Sequence, residues 1–194
     1  MIKLDGHKKI KTAIFISGNG TNLKSLIKFS LKKKSPIKID IIFSNNSSAK
    51  GLRYGKKFKI KSIILNYKNP KKAENLILKN LKRNSINLIC LAGFMKILSK
   101  KFIKNFGKKI INIHPSLLPK YKGLNTHKRV IKNKEKFTGC TIHFVDKNLD
   151  SGKIILQKKI KILKTDTAES LAKKVLVEEN KLYPKAINKV LSRI

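Results

Sequence analysis

The segment I-N-I-H-P-S-L-L-P-K-Y-K-G, residues 111–123, combines polar residue types with a spacing that could support catalysis. An amide, Asn112, and an imidazole, His114, lie two positions apart in an apolar run that stops at Pro115. Residues i and i+2 of a strand point to the same face, so we expect both side chains next to each other at a strand end. Two hydrogen-bond donors there could stabilise a negative oxygen that forms during a reaction. Polar loop residues satisfied by their surroundings would produce the same pattern.

A second candidate is D-K-N-L-D-S-G, residues 146–152, which contains two of only ten acidic residues in the chain. Asp150 directly precedes Ser-Gly, which suits a turn whose carboxylate bonds to the backbone. Placed against His114 instead, this carboxylate would raise the pKa of the imidazole and fix its orientation. The residues alone leave both interpretations open.

Two loops could bind ligands. In S-G-N-G-T-N, residues 17–22, backbone N–H groups at a glycine-rich helix start could hold a phosphate, although a tight turn without ligand is equally compatible. The pattern is neither G-x-G-x-x-G nor a Walker P-loop, which disfavours nucleotide cofactors. The apolar loop A-G-F-M-K-I-L, residues 92–98, could line a flat hydrophobic slot or pack against a helix.

Short apolar runs alternate with helical patterns along most of the chain. This alternation predicts parallel strands over 12–17, 37–43, 62–65, 86–91 and 110–114, with helices between them that include 47–58, 70–81 and 99–106. A short helix over 126–133 and two strands over 140–146 and 154–162 follow. Asp166 and Glu169 have capping-box spacing, which predicts a C-terminal helix from Asp166 to 191, interrupted at Pro184.

The predicted fold class is therefore α/β. We expect a single domain with a Rossmann-like, mostly parallel sheet, helices on both faces, partly antiparallel late strands and a long C-terminal helix. Residues 1–11 are interpreted as an N-terminal extension that could be disordered, and 12–194 as the domain. A length of 194 residues with 41% hydrophobic content suits one core.

Composition indicates the class of protein. No apolar run is long enough to span a membrane, and Cys90 and Cys140 lie in apolar runs without metal-ligand spacing. Buried free thiols favour a cytoplasmic location. A net charge of +37 is typical of nucleic-acid binding, but 43 Lys stand against only 4 Arg, and the lysines are spread over every predicted helix. This distribution favours an explanation in which lysines accumulated on solvated surfaces through a compositional bias. It disfavours a specific nucleic-acid site.

Four segments in this order and spacing resemble the phosphoribosylglycinamide formyltransferase family of purine biosynthesis. They are S-G-N-G-T-N, L-A-G-F-M-K-I-L-S, I-N-I-H-P-S-L-L-P-K-Y-K-G and L-D-S-G-K-I-I-L-Q. The third is typical of the wider folate-dependent formyltransferase superfamily, and the first narrows the resemblance to this family. The resemblance covers about Thr12 to Pro184 and implies a Rossmann-like fold that transfers formyl from 10-formyltetrahydrofolate, as cosubstrate, to glycinamide ribonucleotide without a metal.

The resemblance also implies roles for individual residues. Asn112, His114 and Asp150 match catalytic positions. The ribonucleotide's phosphate and glycinamide portions would be bound by Gly20, Thr21, Asn22 and Glu179. The pterin slot of the folate would be formed by Phe94, Met95, Lys96, Ile97 and Leu98. The expected partners are these small molecules only, with no specific nucleic acid and no membrane, for a monomer or homodimer.

Some positions depart from the family pattern. Lys122 stands where proline is usual, Asn125 where histidine is common, and Leu176 where a polar substrate contact is common, and Lys96 replaces arginine. None belongs to the catalytic set, so the departures bear on substrate affinity. His127 and His143 match family histidines and are expected to act indirectly at most. His7 lies outside the resemblance.

Three other functions remain to be distinguished. Methionyl-tRNA formyltransferase shares the I-H-x-S-L-L-P core but normally has a further C-terminal domain, and formyltetrahydrofolate hydrolase normally has a further N-terminal one. Neither additional domain is expected within a length of 194 residues. A basic RNA-binding protein would explain the charge without the motifs.

Overall fold

Seven strands and six helices alternate in the computed structural model, which describes residues 9–192. The strands are β1 (Ile10–Ile16), β2 (Ile37–Ser44), β3 (Lys61–Ile64), β4 (Leu88–Leu91), β5 (Lys109–His114), β6 (Phe137–Phe144) and β7 (Ile154–Lys161). The helices are α1 (Thr21–Ser30), α2 (Leu52–Lys57), α3 (Pro70–Arg83), α4 (Lys100–Phe106), α5 (Thr126–Lys132) and α6 (Ala168–Leu191).

All seven strands form one sheet in the order β3-β2-β1-β4-β5-β6-β7. The strands β1 to β5 pair in parallel, whereas β6 and β7 are antiparallel additions beside β5. The predicted fold class is confirmed, including the late antiparallel strands and the long C-terminal helix. Within residues 9–192, no helix combines the length and apolar character that crossing a membrane requires.

The core has two apolar layers, one on each face of the sheet. Ile14 and Phe15 are neighbours in β1, both are fully buried, and they belong to opposite layers because successive strand residues point to opposite faces. Buried residues of α1, α5 and α6 complete one layer, and those of α3 and α4 complete the other. Helices on both faces explain why the central strands are apolar throughout.

The first strand begins earlier than predicted. Ile10 and Lys11 already pair with Ile37 and Lys38 of β2, so these two residues of the predicted extension are part of the sheet. Residues 1–8 of that extension lie outside the described residues. The helix predicted over 47–58 is also shorter, since α2 covers only Leu52–Lys57.

The start of α6 differs from the prediction. The capping box is formed by Thr167 and Ser170, one residue later than the predicted pair Asp166 and Glu169. Asp166 instead accepts hydrogen bonds from the backbone N–H of Leu163 and from the side chains of Ser170 and Lys174. Its carboxylate therefore closes the turn before the helix and leaves Thr167 as the N-cap.

The predicted interruption at Pro184 is wrong, because α6 continues through it. Proline has no N–H, so it leaves the carbonyl of Asn180 without its helical partner. The hydroxyl of Ser25 in α1 donates to that carbonyl at 2.8 Å. A neighbouring helix thus satisfies the group that the proline releases, which the local sequence does not show.

Candidate active site

A cavity of about 650 Å³ lies at the carboxyl ends of the central strands β1, β4 and β5. Ligands of open parallel sheets bind at this edge, where the loops after neighbouring strands meet. Every residue that the sequence predicts for catalysis or substrate binding lines this cavity: Gly20, Thr21, Asn22, Phe94, Met95, Lys96, Ile97, Leu98, Asn112, His114, Asp150 and Glu179. The fold therefore brings all of the predicted positions to one place.

Asn112, His114 and Asp150 form a contact cluster between the end of β5 and the loop before β7. Asp150 Oδ2 lies 3.3 Å from His114 Nδ1, and Asp150 Oδ1 lies 3.5 Å from Asn112 Nδ2. The backbone N–H of Gly123 donates to Asp150 Oδ2 at 2.9 Å. Both His114 and Asp150 are buried. The carboxylate thus touches the amide and the imidazole on one wall of the cavity.

His143 belongs to the same cluster, more directly than the sequence predicts. Its Nδ1 donates to the carbonyl of Phe144 at 2.8 Å, so its Nε2 is left to accept from Asn112 Nδ2 at 3.2 Å. Nε2 also lies 3.6 Å from Asp150 Oδ1. The antiparallel register that pairs Asn112 with His143 creates this contact, and that register is not visible from the sequence.

The other ring nitrogen of His114 has a backbone partner. His114 Nε2 lies 2.8 Å from the carbonyl of Tyr121, and a carbonyl only accepts, so this nitrogen carries a proton. Nδ1 remains on the side of Asp150, at the longer distance of 3.3 Å. The ring atom available to a ligand is therefore Nδ1.

Burial lowers the pKa of His114 below its ordinary value, and the Tyr121 carbonyl and the Asp150 carboxylate oppose this shift without overcoming it. The prediction that Asp150 raises the pKa of His114 is thus right for that one interaction and wrong for the net shift. Burial also acts to raise the pKa of Asp150, but the nearby His143 side chain, the hydrogen bond from the Gly123 backbone and the nearby His114 ring together bring it below its ordinary value. The carboxylate is ionised at neutral pH.

The loop before α1 forms a second wall. Gly20 is the N-cap of α1 in the left-handed region, at φ 69°, and a Cβ there would lie 2.5 Å from Gly51 Cα. Only glycine fits this close approach. The first-turn N–H groups of a helix have no partner within it, so this end of α1 suits an anion.

Asn22 joins this loop to α6. Asn22 Nδ2 donates to Glu179 Oε2 at 2.7 Å, and both side chains are buried. Burial raises the pKa of Glu179, and the hydrogen bond from Asn22 opposes that shift. Among residues 9–192, Asn22 Oδ1 has no hydrogen-bond partner. The Asn22–Glu179 pair therefore joins the start of α1 to α6 at one end of the cavity.

The segment 94–98 is divided between the cavity and the core. Met95 and Ile97 are 61% and 73% exposed, whereas Leu98 is 6% exposed and belongs to the core. Phe94 packs edge-on against Phe15, with ring centroids 5.3 Å apart. The side chains free to meet a ligand are consequently those at 95–97, while positions 94 and 98 line the cavity from its apolar base.

Of the positions that depart from the family pattern, Lys96, Asn125 and Leu176 line the cavity and Lys122 lies next to lining residue Gly123. Asn125 is the N-cap of α5, in the left-handed region at φ 58°, and Leu176 lines the cavity from α6. Lys122 Nζ donates to Ser151 Oγ at 2.5 Å. His127 also lines the cavity, and within the described part of the chain its Nδ1 has no partner. Burial lowers the pKa of His127.

Potential metal ligands are not grouped in the described residues, where no three His, Cys, Asp or Glu side chains could hold an ion together. Cys90 and Cys140 are free and buried. Burial raises the pKa of Cys140 to about 12. Both thiols are consequently inert in this environment.

Comparison with known proteins assigns the family. The family described as formyl transferase matches residues 10–187. The phosphoribosylglycinamide formyltransferase of Haemophilus influenzae is 40% identical over 91% of this chain and 85% of that protein. The human trifunctional purine biosynthetic protein adenosine-3 is 39% identical over 95% of this chain, which spans only 19% of that relative's length.

Solved structures agree with the curated relatives. The crystal structure of phosphoribosylglycinamide formyltransferase from Brucella melitensis aligns with a TM-score of 0.89 at 39% identity, covering 94% of this chain and 96% of that one. The structure with the same name from Anaplasma phagocytophilum has a TM-score of 0.87 at 41% identity, covering 93% and 85%. Both alignments cover more than nine tenths of this chain.

Proposed function

Since the chain belongs to the phosphoribosylglycinamide formyltransferase family, we propose that it transfers the formyl group of 10-formyltetrahydrofolate to the amine of 5'-phosphoribosylglycinamide. The products are N-formyl-glycinamide ribonucleotide and tetrahydrofolate, and the reaction is a step of de novo purine (IMP) biosynthesis. The observation that carries the proposal is the convergence of Asn112, His114 and Asp150 on one cavity wall, between an anion-binding helix start and an apolar segment.

The reaction needs no covalent intermediate with the protein. The free amine attacks the formyl carbon and forms a tetrahedral species with a negative oxygen. The bond from that carbon to the folate nitrogen then breaks, and the proton lost by the amine goes to the folate nitrogen. Holding the two substrates together makes the attack effectively unimolecular, which lowers the barrier substantially.

Asn112 and His114 would donate hydrogen bonds to the negative oxygen. Asn112 Nδ2 has one short contact, to His143, and one long contact of 3.5 Å, to Asp150, so the second N–H is the one a substrate oxygen can take. His114 would donate from Nδ1 in its protonated form. Its burial disfavours that form in the free protein, and the developing negative oxygen favours it in the reaction complex.

Asp150 has two parts in the proposal. Its carboxylate opposes the effect of burial on His114 and so supports the charged imidazole. Through a water molecule, it would also help to move the proton from the amine to the folate nitrogen. An ionised carboxylate is required for both, which agrees with the lowered pKa of Asp150.

The substrates would bind at opposite ends of the cavity. The ribonucleotide phosphate would lie at Gly20, Thr21 and Asn22, where the helix start offers N–H donors, and Glu179 would contact the glycinamide portion. The pterin would lie against 94–98, where exposed apolar side chains gain burial from a flat ring. The chain would act in the cytoplasm as a monomer or homodimer, on these small molecules and without a metal.

The direct test follows folate release by absorbance with purified chain, a 10-formyl folate analogue and the ribonucleotide amine. Parallel reactions replace the ribonucleotide by water or by aminoacylated initiator tRNA. We expect release only with the ribonucleotide. Release at an equal rate with water or with tRNA would assign the chain to another reaction of the superfamily.

A further inference from the structure

Tyr121 has a backbone conformation that its side chain disfavours. Its φ is 58°, in the left-handed region, which a bulky residue adopts only when its surroundings impose it. The residue lies in the loop 115–125, between β5 and α5. Something outside the local backbone must therefore hold Tyr121 in place.

The side chain of Tyr121 is fixed at its far end. Its hydroxyl donates to Glu135 Oε1 at 2.9 Å, and Asn133 Nδ2 donates to the hydroxyl oxygen at 2.9 Å. The guanidinium of Arg129 lies over the ring, 5.3 Å from its centroid. These contacts come from α5 and the turn after it, so they join the loop to a separate element.

The backbone of Tyr121 has a different partner from its side chain. Its carbonyl accepts from His114 Nε2 at 2.8 Å. A neutral imidazole carries one proton, and the nitrogen that keeps it is decided by the hydrogen bond of the other. A carbonyl at Nε2 keeps the proton there and leaves Nδ1, beside Asp150, free to meet the substrate.

We propose that Glu135, acting through Tyr121, is a positioning residue that sets the tautomer of His114. The bond from the Tyr121 hydroxyl to Glu135 holds the strained loop so that its carbonyl faces Nε2. This inference rests on the proposed function, because it assigns Nδ1 of His114 as the atom that meets the substrate. Neither Tyr121 nor Glu135 touches the reacting atoms in this assignment.

Other charged or titratable groups near His114 do not replace this contact. Asp150 faces Nδ1, and His143 lies on the far side of that carboxylate. Arg129, on α5, lowers the pKa of His114 through its charge, and His114 in turn lowers the pKa of His127 on the same helix. Within residues 9–192, the Tyr121 carbonyl is the hydrogen-bond partner of Nε2.

The test compares four proteins by the imidazole ¹⁵N chemical shifts of His114, which differ between the two tautomers. The His114 signals are assigned by their loss in His114→Ala. Glu135→Ala removes the acceptor of the Tyr121 hydroxyl, and Glu135→Gln keeps an acceptor oxygen without the charge. Lys120→Ala is the matched control, because exposed Lys120 bonds to the same Glu135 oxygen at 3.1 Å but not to Tyr121.

We expect wild type, Glu135→Gln and Lys120→Ala to show the Nε2–H tautomer, and Glu135→Ala to show a mixture with Nδ1–H. In Glu135→Ala, kcat should fall by about tenfold with both KM values unchanged, well short of the loss of ~100-fold that a misplacement of 1 Å can cause. A Glu135→Ala spectrum identical to that of Lys120→Ala overturns the proposal. If Glu135→Ala does not fold, Tyr121→Phe, which lacks the hydroxyl, is judged by the same spectral criterion.

The spectra are recorded without substrates, so they separate this inference from the proposed function. A tautomer shift in a protein that shows no formyl transfer would support the positioning role and count against the reaction. Formyl transfer together with unchanged spectra in Glu135→Ala and Tyr121→Phe would support the proposed reaction and overturn the positioning role.

Discussion

The polar wall and the apolar wall of the cavity are built in opposite ways. The polar wall is formed by Asn112, His114, His143 and Asp150, of which Asn112 is partly buried and the others are buried. Its side chains contact one another or the backbone. The apolar wall, formed by 94–98, presents Met95 and Ile97 to solvent. The first wall is arranged before any ligand arrives, whereas the second has apolar surface that only a ligand can cover.

This difference indicates how the two walls act. Donors that are already oriented stabilise a transition state without reorganising, so the polar wall should control the rate of the chemical step. Apolar surface contributes through burial, which is gained equally by bound substrate and transition state, so the apolar wall should control affinity. Mutations in the two walls should therefore change different kinetic constants.

The largest effect is expected from His114→Ala. Loss of one donor to a forming oxyanion typically lowers kcat by about 10²–10³-fold, and both KM values should stay within about threefold because the ground state does not use this bond. Steady-state kinetics and circular dichroism at matched concentration check the result. A kcat close to wild type in a folded variant would contradict the role of the polar wall.

Asp150→Asn tests the electrostatics of the same wall. The carboxylate supports the charged imidazole, so its removal should lower the pKa of His114 further. An NMR titration of the His114 ring protons measures this directly, with the wild-type midpoint expected below 6.5. An upward shift of the His114 pKa in Asp150→Asn would contradict the role of the carboxylate in supporting the charged imidazole.

Ile97→Ser examines the apolar wall. In the proposed reaction the folate would cover this side chain, so its removal should raise KM for the formyl folate by about tenfold, equivalent to about 1.4 kcal/mol, and leave kcat unchanged. Ile64→Ser is the control, since Ile64 is exposed on β3 and does not line the cavity. A lowered kcat in Ile97→Ser would contradict the expectation that the apolar wall controls affinity and not the rate of the chemical step.

The smallest effect is expected at the contact between α1 and α6, beside the end of the cavity proposed for the ribonucleotide. Ser25→Ala leaves the carbonyl of Asn180 without the donor that compensates for Pro184, which should cost about 1–2 kcal/mol of unfolding free energy. Urea denaturation measures the change, and exposed Ser47→Ala serves as the control. Equal stability of the two variants would show that solvent satisfies the carbonyl.

Local patterns were sufficient to predict the parallel part of the fold. Alternation of apolar runs with helical periodicity predicts β1 to β5 because each signal lies within a few residues. The continuation of α6 through Pro184 could not be predicted in this way, since it depends on Ser25, far away in the chain. The capping box was misplaced by one residue because Asp166 bonds backward to Leu163.

The candidate site, like the fold, could be predicted only where the signal is local in the sequence. Residue types and motif spacing bring Asn112, His114 and Asp150 forward as candidates, and the roles assigned to them stay predictions. The place of His143 depends on the register of two antiparallel strands, and the charge of His114 depends on how deeply the ring is buried. Both are properties of packing between distant segments and leave no signal in any single stretch of sequence.

One hydroxyl on α6 touches both β4 and β5. Tyr183 is fully buried, and its oxygen lies 3.0 Å from the carbonyl of Leu91 and 3.1 Å from that of Ile111, the residues just before the apolar segment and just before Asn112. Glu179 lies one turn earlier on the same helix. The Tyr183 hydroxyl thus links the ends of β4 and β5 to the helix that carries Glu179. Because one donor is shared by both strands, a displacement of α6 that broke one of these bonds would also strain the other.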